Sequence, residues 1–155
     1  EKLPNKEGTF MYVDVGGGST EITLIHQGRL VGSMSYNIGT IRLLNRAVKD
    51  GIVDGLKADM AGMYANYGPI NIIGSGGNIN KLFRLAEEKS KKELKLPITS
   101  LRSLHNDLQP LSVEERMDRF GLKPDRADVI VPAAEIFLII ADCIHSDYVY
   151  VGYAR

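Results

Sequence analysis

Apolar and polar positions change rhythm several times along this chain, and each rhythm implies an element. In the first third, Phe10–Val15, Glu21–His26 and Leu30–Tyr36 have the alternating or apolar character of strands. Gly-Gly-Gly-Ser-Thr separates the first two and Gln27-Gly28-Arg29 the second pair, so the three strands read as an antiparallel meander. The period then lengthens. Ile41, Leu44 and Val48 mark the face of one helix, and Leu56, Met60, Met63 and Tyr64 that of another, with Asp50-Gly51 and the Gly55 region dividing them.

Ile70–Ile73 is a short apolar strand entered through Gly68-Pro69. It runs into Gly74-Ser75-Gly76-Gly77-Asn78, after which Ile79, Leu82, Phe83 and Ala86 follow helical spacing. The charged run Glu87–Lys95 reads as a solvated helix end and loop. Pro97–Thr99 is a brief edge-strand candidate. Ser100–Leu108 and Ser112–Phe120 are short helices, the second opened by the Ser-x-x-Glu form of a capping box at Ser112 and Glu115. Gly121 and Pro124 break the pattern, Ala127–Ile144 is a helix apolar nearly all round, and Tyr148–Tyr153 closes as a strand. Meander, helical crossover, strand, helices and last strand make an α/β domain with a mixed sheet.

Composition narrows the function classes. With 155 residues, 44% hydrophobic and 25% charged, the chain suits one soluble domain with a real core. Lys+Arg and Asp+Glu balance at 19 each, so no overall field draws nucleic acid or an anionic membrane. Cys143 is the single cysteine; an internal disulfide is impossible, a reducing, cytoplasmic setting fits, and its apolar helical run implies a core position. The start is polar rather than signal-like, and Asp128, Pro132, Glu135 and Asp142 interrupt the most apolar stretch, against a membrane span. The first residue is Glu, and "VGYAR" follows a predicted strand directly; both ends read as cuts through a longer protein.

The candidate chemistry lies in three stretches. In "DVGGGST" the glycines suit a tight hairpin turn. They equally suit a cradle, in which successive N–H groups at Gly16, Gly17 and Gly18 form an anion nest. Asp14, an acid between Val13 and Val15, needs a metal, a water or a donor as partner. "IIGSGGNI" is a strand, a glycine bend and a helix start, which suits a phosphate at the helix N-terminus or merely close helix–sheet packing. It is neither a Walker A loop nor a dinucleotide fingerprint. Both turns follow apolar strands, so both can open at one edge of one sheet, where two nests suit a chain of phosphates. In "RADVIVPAAEI", Asp128 serves the helix dipole, and Arg126 is either a surface residue or a guanidinium clamp on a phosphate oxygen.

DVGGGSTE, GSGGNI and RADVIVPAA, in this order and spacing, resemble the exopolyphosphatase / guanosine pentaphosphate phosphohydrolase (Ppx/GppA) family, of the actin–hexokinase–Hsp70-like superfamily of duplicated ribonuclease-H-like domains. The resemblance runs from Phe10 to the end. It implies that residues 1–155 are a single ribonuclease-H-like lobe, the second of two, whose partner lobe and its catalytic glutamate are absent. By the same resemblance Asp14 binds Mg²⁺, and Gly16, Gly17, Gly18 and Ser19 hold phosphate. Glu21 helps order the metal or the attacking water, Ser75, Gly76 and Gly77 line the far side of the cleft, and Arg126 neutralises phosphate charge. The implied reaction is Mg²⁺-dependent removal of terminal phosphate from inorganic polyphosphate or guanosine pentaphosphate, with no substantial turnover by this lobe alone. Lobes of this kind often pair, which leaves room for a homodimer. Two rival readings remain: an actin-like ATP-binding lobe of a kinase or chaperone-like protein, and a non-catalytic polyanion-binding module.

Other residues carry less. His26, His105 and His145 share no metal-ligand spacing and read as structural or surface groups. Ser19 and Ser75 lack a G-x-S-x-G context, so serine-hydrolase chemistry is not indicated. Tyr148, Tyr150 and Tyr153 read as strand packing, and without a basic stripe nucleic-acid polymer binding has no support.

Overall fold

A computed structural model describes residues 7–152. Strands β1 (Thr9–Val15), β2 (Thr20–His26) and β3 (Arg29–Tyr36) form the expected antiparallel meander. β4 (Ile70–Ser75) lies parallel to β1, and β6 (Tyr148–Val151) parallel to β4. β5 (Lys95–Pro97) closes the edge antiparallel to β6, giving the order β3-β2-β1-β4-β6-β5.

Period-2 patterning decides which face of this sheet is dry. Met11, Val13, Ile22, Leu24, Ile72 and Val149 share one face through their pairing register, and all are fully buried. They merge with the helices into one core. At its centre is α6 (Pro124–Cys143), which touches all five other helices: α1 (Thr40–Leu44), α2 (Ile52–Tyr67), α3 (Gly77–Leu85), α4 (Ile98–Leu108) and α5 (Val113–Phe120). A helix enclosed in this way must be apolar nearly all round, as its sequence is. On the opposite sheet face, burial fades along β1 from Phe10 through half-buried Tyr12 to exposed Asp14. Among the described residues, no helix is long and apolar enough to cross a membrane.

Several expectations shift. Pro124 opens α6 rather than breaking the chain, because its fixed φ suits a first helical position; Arg126 therefore stands in the first turn of α6. The helix expected over Ile41–Val48 stops at Leu44, since Arg46 takes a left-handed φ of 53°. Ile41 and Leu44, expected on its buried face, are exposed. Gly55 lies inside α2 rather than dividing two helices. The brief strand sits at Lys95–Pro97, rather than at Pro97–Thr99 as the sequence suggests, and α4 begins at Ile98. The charged run is a loop, as expected, although Lys89 Nζ returns to donate to the carbonyls of Phe83 and Arg84, both at 2.7 Å, at the end of α3. Ser112 and Glu115 form the expected capping box. Cys143 is only half-buried, at the edge of the core; burial pushes its thiol above the ordinary range. Tyr153 lies outside the described residues.

Candidate functional site

Because β1 and β4 are neighbouring parallel strands, their carboxyl ends open on the same edge of the sheet. The expectation that both glycine turns share one edge therefore holds. Near the carboxyl end of β1, Asp14 pairs with Glu21 on one side and with Ser75 on the other, and Glu21 pairs in turn with Ser35. Cross-strand partners project from the same face, with Cβ atoms ~4.5–5.5 Å apart in antiparallel pairs. The edge thus presents a row of oxygen-bearing side chains: Ser35, Glu21, Asp14, Ser75.

Two hydroxyls hold Glu21 in place. Ser19 Oγ donates to its Oε2 at 2.8 Å, and Ser35 Oγ donates to the same oxygen at 2.9 Å. Ser35 carried no signal in the sequence, because its role depends only on the β2–β3 register. Asp14 is exposed, so burial does not force a partner on it, contrary to the sequence expectation. Its demand for one is electrostatic. Two carboxylates directly opposite each other repel, and a bound cation relieves that repulsion.

The first turn is closed by the Gly16 N–H, which donates to Ser19 O at 2.9 Å and is thereby withdrawn from the expected nest. None of Gly16, Gly17 and Gly18 has a positive φ, so backbone freedom does not explain the three glycines. Close approach accounts for Gly17, whereas a Cβ on Gly18 would meet open space. A Cβ on Gly17 would stand 3.0 Å from Ile41 Cγ1, and one on Gly39 would stand 2.6 Å from Gly16 O and closer still to Gly17 O. The start of α1 is pressed onto the turn. Thr40 N–H donates to Gly16 O at 3.0 Å, Ile41 N–H to Gly17 O at 2.9 Å, and Arg42 Nε to Gly18 O at 2.6 Å. In a trans peptide the next N–H points away from the carbonyl. With these carbonyls turned into α1, the N–H groups of Gly17, Gly18 and Ser19 face away and meet no protein acceptor among the described residues.

The second turn begins one residue past Ser75. Gly76, at φ 109° and ψ 169°, adopts a conformation that side-chain-bearing residues rarely take, and it caps α3 without any side-chain cap bond. A Cβ there would stand 3.5 Å from Asp14 Oδ1, which sets the acid directly against the second turn. Arg126 arrives from α6. Its Nη1 donates to Asn78 Oδ1 at 2.6 Å, and its guanidinium lies against Gly77. The three motifs read in the sequence therefore converge, and Asn78 joins them as the residue that anchors Arg126.

The contact at Gly77 yields a prediction. The atoms nearest an added methyl all belong to the Arg126 guanidinium, the far end of a long side chain, so Gly77→Ala should keep stability within about 0.5–1 kcal/mol of the parent in a thermal melt. The guanidinium should be displaced, and affinity for inorganic tripolyphosphate should fall as far as in Arg126→Ala.

The donor set limits the choice of metal. Among the described residues no three His, Cys, Asp or Glu side chains converge, which disfavours a closed zinc site. Asp14 and Glu21 offer two hard oxygen donors, a set that suits a cation completing its shell with water and phosphate oxygens, as Mg²⁺ does. The three histidines go elsewhere: His26 Nδ1 to Thr9 Oγ1 at 2.8 Å, His105 Nε2 to Glu135 Oε2 at 3.1 Å, and His145 onto the Tyr64 ring. Two cavities, of about 300 and 510 Å³, share no residue with the glycine edge.

A sequence profile of the Ppx/GppA phosphatase family matches residues 1–152. Nothing among curated proteins matches the chain. Among solved structures, a Ppx/GppA phosphatase from Aquifex aeolicus is similar at 23% identity and TM-score 0.74, covering 95% of this chain and 54% of its own. An exopolyphosphatase from Cytophaga hutchinsonii is similar at 18% identity and TM-score 0.77, covering 97% of this chain and 55% of its own. The chain thus spans about half the length of the structures it matches. The likeness establishes the fold, an actin-like, ribonuclease-H-like α/β fold with a mixed sheet.

Proposed function

The chain belongs to the Ppx/GppA phosphatase family, and on that premise we propose that it is one lobe of a two-lobe cytoplasmic phosphohydrolase, the lobe that holds the phosphate chain. The observation that carries this reading is the pairing of Asp14 with both Glu21 and Ser75. That register sets two carboxylates between two glycine turns. The amides of Gly17, Gly18 and Ser19 bind non-bridging oxygens from one side, and Ser75, Gly76 and Gly77 do so from the other. Arg126, anchored on Asn78, neutralises charge on the same oxygens.

The reaction is hydrolysis of a terminal phosphoanhydride. Water attacks the end phosphorus in line, the bridging P–O bond breaks, and the shortened chain leaves with the bridging oxygen. Glu21, fixed by Ser19 and Ser35, orders the attacking water. Asp14, with Glu21 beside it, would hold Mg²⁺, which would neutralise charge developing on the phosphoryl oxygens. A general base from the partner lobe takes the proton. Inorganic polyphosphate and guanosine pentaphosphate both present such an end group.

Phosphate release from tripolyphosphate tests the reading. The protein carrying both lobes should release phosphate with Mg²⁺ and lose that activity on chelation, whereas this chain alone should bind without substantial turnover. Binding by the two-lobe protein with no release in Mg²⁺ would make the lobe a polyanion-binding module. Saturable ATP binding with no affinity for tripolyphosphate would make it an ATP-binding lobe.

A further inference from the structure

We propose that Arg42 is a positioning residue for the first phosphate-binding turn, acting through the Gly18 carbonyl rather than through charge on the ligand. The inference rests on the phosphate reading of that turn. The turn has three consecutive carbonyls to dispose of, and each is taken from the same side. Backbone amides at the start of α1 hold two of them, those of Gly16 and Gly17. The third, Gly18 O, is held by a side chain, Arg42 Nε at 2.6 Å.

The third carbonyl matters most for the ligand side. The peptide linking Gly18 to Ser19 carries the Ser19 N–H, and Ser19 is also the residue whose hydroxyl pins Glu21. Orienting Gly18 O therefore orients an anion-binding amide and, through the same residue, one of the two donors on the carboxylate. Glycines leave the turn without side-chain restraints of its own, so the order it needs has to come from outside. Arg42 is half-buried and forms no salt bridge among the described residues, which leaves Gly18 O as its one hydrogen-bonded anchor there.

Side-chain geometry makes the idea separable from a charge effect. The Nε2 of glutamine occupies nearly the position of arginine Nε along the chain, so Arg42→Gln keeps the donor and removes the charge. Arg42→Lys keeps the charge and moves the donor outward, and Arg42→Met keeps bulk with neither. The first readout is ¹⁵N relaxation of the free chain. In Arg42→Met the order parameters of Gly18 and Ser19 should drop from ~0.85 toward ~0.6, and Arg42→Gln should restore them. The second readout is tripolyphosphate affinity with Mg²⁺, which should fall about tenfold in Arg42→Met, because the loop must then be ordered on binding, and recover in Arg42→Gln.

Unchanged relaxation in Arg42→Met overturns the proposal whether or not any ligand binds. So does an affinity that Arg42→Lys preserves while Arg42→Gln loses it, since that pattern belongs to charge. A parent chain that shows the relaxation effect but binds no tripolyphosphate supports the clamp and refutes the phosphate reading instead, so the two fail separately.

Discussion

Glu21→Gln in the two-lobe protein should lower turnover by about 10²-fold, the low end of what a positioned acid–base group contributes, because Glu21 orders the attacking water while the base comes from the partner lobe. The substitution is nearly isosteric, and its amide oxygen can still accept from the Ser19 and Ser35 hydroxyls that hold Glu21 at 2.8 and 2.9 Å. Only the charge goes. Stability should therefore stay close to that of the parent, and KM should change far less than kcat, because the residue is assigned to the attacking water and not to gripping the chain. A comparable loss with Ser35→Ala is not expected, since Ser19 still holds the carboxylate. Steady-state phosphate release with a parallel thermal melt reads both effects. A Glu21→Gln protein with parental kcat would remove Glu21 from the mechanism.

Phe137→Ala should destabilise the fold by ~3–5 kcal/mol and lower Tm by roughly 6–20 °C. Phe137, 1% exposed, is among the largest fully buried side chains and stands on α6 against the carboxyl end of β4. A Cβ on Gly74 would come within 2.9 Å of Phe137 Cε1 and 3.2 Å of Cζ. Gly74 is thus bare because the ring occupies the space above it. Gly74→Ala should itself cost about 1–3 kcal/mol from overpacking. In a Phe137→Leu background the same change should cost less, since the clashing ring atoms are gone, with a coupling of ~0.5–3 kcal/mol. Additive costs in denaturant unfolding would contradict the packing described for this pair. Ser75 and Gly76 follow Gly74 directly, so this contact also sets the height of the second turn over the sheet.

Residues legible in the sequence are those whose signal is local. The apolar run Phe10–Val15 and the alternation at Glu21–His26 report strands, and the Ser112/Glu115 capping box reports a helix start whatever lies around it. The glycine turns were legible as candidate anion sites because the three motifs occur together in order. The reason for the glycines was not. Positive φ explains Gly76, whereas Gly17 yields to a neighbour, the Gly39–Arg42 segment, that becomes adjacent only once β2 and β3 have folded back. The same long-range contact misled the helix expected at Ile41–Val48. Its exposed Ile41 and Leu44 look like a buried face in sequence, but α1 is secured by its first amides and by Leu43, which packs against the core in their place. Ser35 and Asn78 were likewise invisible, since a lone serine or asparagine means nothing until register or packing gives it a partner.

That the two glycine turns form one anion site on one sheet edge is tested most directly by an amide NMR titration of this chain with tripolyphosphate, with and without Mg²⁺. The account predicts that Gly17, Gly18, Ser19, Gly76 and Gly77 shift along a single binding curve, and that the curve weakens sharply without Mg²⁺ and in Asp14→Asn. Turns that titrate independently, or that both stay still at millimolar ligand, would contradict it.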